Sequence, residues 1–208
     1  MFDKDSVTPT RPPVVQRRGM ERRRAILDAA EVLLTEKGYE AATLKAIGER
    51  AGIPTASMYH YFPDRYQVDA ELLQHHIRGL DAVVDVMLRN SGAGTVREIA
   101  DVLIDAVLGY FRRHRSCTEL WFAGRSKALE ALVRAFDEAQ AERLWLLLVE
   151  RKLIAADTSR FVAQVAFEAA NRLFDVAFQR SPDGDDATID EARRMLTAYF
   201  LTYAPEEA

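Results

Sequence analysis

Apolar residues recur at helical spacing along nearly the whole chain. From about Met20 onward, Ile26, Ala29, Ala30, Leu33 and Leu34 fall on one face with charges opposite, until Gly38 stops the run. Thr43 suits the N-cap of a short helix whose apolar side carries Leu44, Ile47 and Ala51, and Gly52 then offers a left-handed residue to turn the chain. A second short helix is predicted from about Pro54 to Tyr61, since proline is favoured at a first helical position; Pro63 breaks it and Asp64 can cap the next. Five longer helices are predicted at about 65–90, 96–114, 117–151 with a break near Gly124, 158–180 and 186–203. Ser91-Gly92-Ala93-Gly94-Thr95 and Ser181-Pro182-Asp183-Gly184-Asp185 interrupt them. Nowhere do β-branched residues alternate long enough for a strand. The predicted fold class is all-α, with about nine helices in total.

Composition agrees with this pattern. The chain has 208 residues, 49% hydrophobic and 29% charged, as ordinary globular domains do. That length buries roughly 70% of the surface an unfolded chain exposes, so no staples are needed. Residues 64–181 contain no proline, which favours long helices. A lone cysteine, Cys117, excludes an internal disulfide framework and a cysteine-based zinc site. The first residues lack a charged-then-apolar leader and no 18-residue uncharged apolar run occurs, so the expected location is the cytoplasm, with no membrane partner.

Charge sharpens the picture. Residues 11–24 hold six arginines against Glu21, a net of +5, whereas residues 69–208 carry a net of −6. A basic arm ahead of an acidic body suits a polyanion gripped at one end only. Residues 1–19, with prolines at 9, 12 and 13, read as a disordered basic arm.

The most informative stretch is TLKAIGERAGIPTASMYHYF, residues 43–62: two short amphipathic helices joined through Ala51-Gly52-Ile53. This is the pattern of a helix-turn-helix, whose second helix enters the DNA major groove while the first braces across the backbone. Small Ala46, Gly48 and Ala51 permit close approach, and Ile47, Ile53 and Met58 form the shared core. Taken with the preceding helix ending in Gly38-Tyr39, the ordered set Thr43, Ile47, Ala51-Gly52-Ile53, Ser57, Tyr59-His60-Tyr61-Phe62 and the basic Arg65 resembles the TetR family of bacterial transcriptional regulators.

The resemblance implies three regions: the arm at 1–19, a three-helix DNA-binding domain at 20–66, and a larger helical effector-binding and dimerisation domain at 67–208. It implies that Thr43 meets a phosphate, that Thr55, Ala56 and Ser57 face the bases, and that Tyr59 and His60 reach the backbone. Arg65 stands where the family more often has lysine, at another phosphate, and Tyr61 and Phe62 are packing residues. Two residues depart from the pattern: Pro54 removes an amide donor and Ala56 has no hydrogen-bonding group. The recognition helix carries no Arg, Lys, Asn or Gln, hence nothing for a bidentate contact to guanine or adenine. Reading is expected to rest on thymine methyls against Ala56 and Thr55, single hydrogen bonds from Ser57, and DNA shape. Lys45 and the arm arginines Arg17, Arg18 and Arg22 are expected to supplement it.

For the body, the family implies a homodimer through the last two helices and a small-molecule effector. Ala163, Ala166, Ala169, Ala170 and Ala177 on one of these helices, and Ile189, Ala192, Leu196, Tyr199, Phe200 and Tyr203 on the other, look suited to helix pairing. Aromatic residues crowd positions 110–178, so the expected ligand contacts are Tyr110, Phe111, His114, Trp121, Phe122, Phe136, Phe167, Asn171 and Phe174, with an apolar or aromatic effector. Helix 65–90 would couple that site to the recognition helix, making the protein a repressor released from its palindromic operator by a small molecule. The competing classes are an enzyme or metal protein, suggested faintly by Glu71, His75 and His76, and an architectural DNA-binding protein with no effector. No phosphate loop, nucleophile elbow or dinucleotide fingerprint occurs, and neither a catalytic set, a metal nor a cofactor is expected.

Overall fold

Side chains set most of the helix starts. In the computed structural model, which describes residues 14–123 and 126–205, α1 spans Val14–Lys37 and ends at Gly38, whose φ of +78° is open to glycine without strain. Thr43 starts α2, Leu44–Ala51, its hydroxyl accepting from the Ala46 amide at 3.2 Å, and Gly52 ends it at φ +67°. Helix α3 is Thr55–Met58, and α4, Arg65–Asn90, is capped by Asp64 accepting from the Gln67 amide at 3.0 Å. A reciprocal Thr95–Glu98 capping box opens α5, Val96–Arg113. Then come α6, Arg115–Thr118, and a π-helical turn, Glu119–Ala123. Ser126, Ser159 and Asp185 cap α7, Lys127–Glu150, α8, Arg160–Arg180, and α9, Asp186–Leu201. Among the described residues there is no strand, and no helix is long and apolar enough to cross a membrane.

Three expectations change. Residues 14–19 belong to α1 rather than to a disordered arm; arginine is a good helix former and Arg17 pairs with Glu21 one turn on, at 2.9 Å. The rest of the arm, with Arg11, lies outside the described residues. The recognition helix is shorter than 54–61, because Pro63 draws the chain out of helix and the last turn tightens: His60 and Tyr61 donate to the Ser57 and Met58 carbonyls at 3.2 and 2.9 Å. In the segment 117–151, expected with a break near Gly124, the part before that break is α6 and the π turn rather than one α-helix, and α7 follows; Gly124 itself lies outside the described residues.

Two cores result. The first joins Ile26, Leu33 and Leu34 of α1 to Ile47, Met58 and Phe62, and to Val68, Leu72 and Leu73 of α4. The second fills the body with Phe111, Phe136, Leu144, Phe174, Leu196 and Phe200, and takes Leu80 and Val84 from the far half of α4. Helix α4 therefore belongs to both. The body reaches back in turn, with Leu120 of the π turn and Leu129 of α7 buried in the first core.

Candidate functional site

The end of the molecule formed by α1–α3 is built around a close helix approach. A Cβ on Gly48 would lie 2.9 Å from the Ile53 carbonyl oxygen and 3.0 Å from Met58 Cγ, so α2 and α3 touch at a position only glycine fills. With Met58 and Ile53 turned inward, Ala56, Tyr59 and His60 face solvent and Thr55 and Ser57 are half-buried beside them. Thr43 and Lys45 are exposed at the start of α2. Arg17, Arg18 and Arg22 are exposed on α1, with Arg17 held by Glu21. Tyr66, which sequence reasoning passed over, is 57% exposed at the start of α4.

Arg65 has another occupation. Its Nε lies 3.2 Å from the buried Asp69 carboxylate and its guanidinium stacks 4.0 Å over the Tyr39 ring. The side chain is only 17% exposed, and Nη2 is buried with no hydrogen-bond partner among the described residues. Burial raises Asp69 above the usual carboxylate range, while Arg65 and the Tyr39 hydroxyl, 3.1 Å away, hold it down. Arg23 was also missed as an individual. It bonds Glu71 of α4, donates to the Tyr61 carbonyl at 2.8 Å and covers the Phe62 ring, pinning the turn after α3 to α1 and α4. In sequence it is one of three consecutive arginines, and only its inward position distinguishes it.

Above this end, a polar junction joins α4 to the body. His76 is buried, its Nδ1 3.3 Å from the Tyr110 hydroxyl and its Nε2 3.0 Å from the Ser116 hydroxyl. Burial, then the neighbouring His114 and His75, pull its pKa down to about 4, so the ring is neutral. Tyr110 fits because residue 79 is glycine; a Cβ there would be 2.5 Å from its oxygen. The faint Glu71–His75–His76 set is thus dispersed, with Glu71 on Arg23, His76 on Ser116 and Tyr110, and His75 exposed. No group of three metal-ligating side chains is arranged around a point among the described residues.

The body encloses a cavity between α4, α5, α7, α8 and α9. About 70 Å³ is open to the centres of water-sized spheres, room for several waters, and the wall is almost wholly apolar. Of the residues named as ligand contacts, Phe111, Trp121, Phe136, Phe167, Asn171 and Phe174 line it. Tyr110 and His114 do not: their rings lie 4.3 Å apart at the His76 junction, because residue 110 sits about 100° around α5 from Phe111 and faces α4. Phe122 stacks on Phe178 at 5.4 Å and faces an outer cleft. Leu80, Val84, Asp137 and Gln140 also line the cavity and escaped sequence reasoning. Gln140 Nε2 donates to Asp81 of α4 at 2.8 Å, and Arg143 binds Asp81 and Asp85 at 2.5 and 2.9 Å, so the cavity's α7 wall is clamped to α4.

The helices expected to pair two chains turn most of the residues named for that pairing inward. Ala163, Ala166 and Ala177 of α8 and Ile189, Ala192, Leu196 and Phe200 of α9 are buried within this chain's own core, since small residues let α8 approach its neighbours here. Apolar surface remains outside at Phe161 and Val165 of α8 and Leu201 of α9, exposed by 67%, 36% and 54%.

Comparison with known proteins follows the same division. Residues 26–72 match the family profile described as bacterial regulatory proteins, tetR family, and residues 95–200 match the tetracyclin repressor-like C-terminal domain. A TetR-family transcriptional regulator of Streptomyces coelicolor is 32% identical, with a TM-score of 0.64 over 88% of this chain and 99% of that one. The repressor KstR of Mycolicibacterium smegmatis is 35% identical over 65 residues, 31% of this chain and 32% of KstR, so the match spans about a third of that relative. The regulator BetI of Brucella suis is 25% identical over 174 residues, 81% of this chain and 85% of BetI.

Proposed function

The chain belongs to the TetR family of bacterial transcriptional regulators, and from that premise we propose a homodimeric repressor whose α3 enters the operator's major groove and whose body cavity holds a small molecule that releases it. One observation carries the reading: α4 supplies Leu72 and Leu73 to the core under α3, and Leu80 and Val84 to the cavity wall. A ligand that favours one setting of the cavity therefore biases the setting of the same rod beneath the recognition helix. Thr43, Tyr59 and His60, with Tyr66, are exposed for the phosphate backbone, while Ala56, Thr55 and Ser57 present small groups to base edges. Lys45 and the α1 arginines Arg17, Arg18 and Arg22 add charge alongside. Arg65 acts by holding Asp69 and Tyr39 in place rather than by touching DNA. Two copies meet through the face bearing Phe161, Val165 and Leu201.

The test is nuclease protection of promoter fragments by the full chain. Two protected half-sites about 34 Å apart are expected, resisting competitor DNA; binding no tighter than to competitor overturns the reading. Replacing thymine by deoxyuridine in a half-site removes one methyl. At a base facing Ala56 this loses about 0.8 kcal/mol, roughly fourfold in affinity.

A further inference from the structure

Two of the cavity's polar groups, Asp137 and Asn171, meet in its wall where α7 packs on α8, and Gln140 lies one turn along α7 toward α4. Asp137, next to Phe136, is 9% exposed and accepts a hydrogen bond from Asn171 Nδ2 across the helix pair. No arginine, lysine or histidine pairs with it among the described residues, although a buried carboxylate is costly without a cation. The other two polar groups point the same way chemically. Asn171 gives an N–H to Asp137 and Gln140 gives one to Asp81, and neither amide oxygen accepts a hydrogen bond among the described residues. The little polar surface in this mostly apolar wall is that of a carboxylate and amide oxygens, which are acceptors.

Asp137 is also a doorpost. Trp121, Asp137 and Asn171 line both the inner cavity and a more open cleft on the surface between α7 and α8. That cleft adds Glu130, Glu138, Glu168 and Asp175 against Arg134 and Arg172, and Arg172 is already bonded to Asp175. An anion meets repulsion on this path and a neutral molecule leaves Asp137 uncompensated; a cation is drawn in and then paired out of water. The aromatic rings beyond it, Trp121 among them, favour the same charge.

We propose that the cavity takes a lipophilic organic ammonium ion, with its aromatic or alkyl body among Phe111, Phe136 and Phe174 and its charged nitrogen on the Asp137 carboxylate. The proposal rests on reading the body as an effector-binding domain. Desolvation, with Glu168 and Glu138 adding to it, pushes Asp137 up to about 7 in the empty protein. Near neutrality the bound cation therefore displaces a proton, in surroundings set by Glu130, Arg134 and Glu138 of α7, Glu168, Asn171, Arg172 and Asp175 of α8, and Asp81 of α4 behind Gln140.

The experiment uses three probes of similar shape, 2-phenylethylammonium, n-propylbenzene and 3-phenylpropanoate, titrated into the full, DNA-free chain by tryptophan fluorescence and calorimetry. The ammonium is expected to bind about tenfold or more tighter than the hydrocarbon, with the carboxylate weakest. Asp137→Asn removes that preference while n-propylbenzene still binds, which also certifies the variant's fold. In the wild type, ammonium affinity rises about tenfold from pH 6 to pH 8 as the competing proton leaves, and hydrocarbon affinity does not. Equal or tighter binding of the hydrocarbon or carboxylate, no binding by any probe, an unaltered preference in Asp137→Asn, or a flat pH profile overturns the proposal. Operator protection, measured without any probe, reports separately. A chain that binds its operator but not the ammonium loses only this proposal; one that binds the ammonium but no operator loses the repressor reading.

Discussion

The end that faces DNA and the body treat space and charge in opposite ways. In the former, α2 and α3 approach until Gly48 has no room for a methyl, and the buried carboxylate Asp69 is met by Arg65 and by the Tyr39 hydroxyl. In the body, rings meet edge-to-face around an opening, as Phe111 and Trp121 do at 5.3 Å, and among the described residues the buried carboxylate Asp137 has only an amide. Both regions are all-helical and share α4, so the contrast arises from side chains alone. On the proposed reading, three small groups presented in register to base edges require a rigid support. A surface that must accept a ligand retains a void and an unmatched charge, each lowering stability until something fills it.

The most damaging test of the tight end is Gly48→Val. Its branches strike the Ile53 carbonyl and Met58, and neither is the loose end of an exposed chain. We expect a loss of about 3 kcal/mol in urea unfolding together with loss of operator binding. A variant as stable as the parent would mean that α2 and α3 can part freely.

The charges come next, and pH separates them. Asp137 has its folded pKa raised to about 7 from 3.8, so its contribution is full below 3.8 and is lost as pH rises toward 7. His76 has its folded pKa lowered to about 4 from 6.5, so its contribution is full above 6.5 and is lost as pH falls toward 4. Between about 4 and 6.5 the two slopes oppose and nearly cancel. Asp137→Asn uncovers the histidine: its stability climbs with pH up to 6.5, and relative to wild type it gains about 2 kcal/mol between pH 5 and 7. Parallel profiles for the two proteins in urea melts would show that Asp137 is not buried as charge.

Arg65→Ala tests the opposite arrangement, a buried carboxylate with its cation. Among the described residues it leaves Asp69 with only Tyr39, and it is expected to cost about 2 kcal/mol of stability, less than the loss of a sole partner. The slope of log K against log salt for operator binding should not move, whereas Arg22→Ala should flatten it by up to about 0.9 per subunit. A flattened slope for Arg65→Ala would return that residue to the DNA.

How these residues looked in sequence explains what could be foreseen. The caps Thr43 and Asp64 were legible because their chemistry is local: a short side chain reaches an amide three residues on. The helix-turn-helix was legible because its turn needs Gly52 and its core needs Ile47, Ile53 and Met58 at fixed spacing. Arg23 was not, because helical period cannot tell which of three adjacent arginines turns inward until α4 supplies Glu71. Tyr110 failed for the same reason: it and Phe111 lie on different faces of α5, toward helices that no local pattern specifies, and only Phe111 lines the cavity. Asp137 is one of 32 acidic residues, and what sets it apart is the void beside it, which arises from five helices together.

The smallest expected effect is the most direct comparison of the two regions. Ala170→Leu adds three carbons to a residue lining the cavity, and the void can receive them without moving backbone. The change in stability should stay under about 1 kcal/mol in either direction, since the added apolar burial offsets the rotamers lost. Enlarging a side chain at the crowded α2–α3 contact has no such outlet. The same variant should weaken the binding of 2-phenylethylammonium while leaving operator affinity without ligand near that of wild type. A loss of 3 kcal/mol or more, comparable to that at Gly48, would mean that the body is packed as tightly as the DNA-facing end and that the opening among its rings closes in solution.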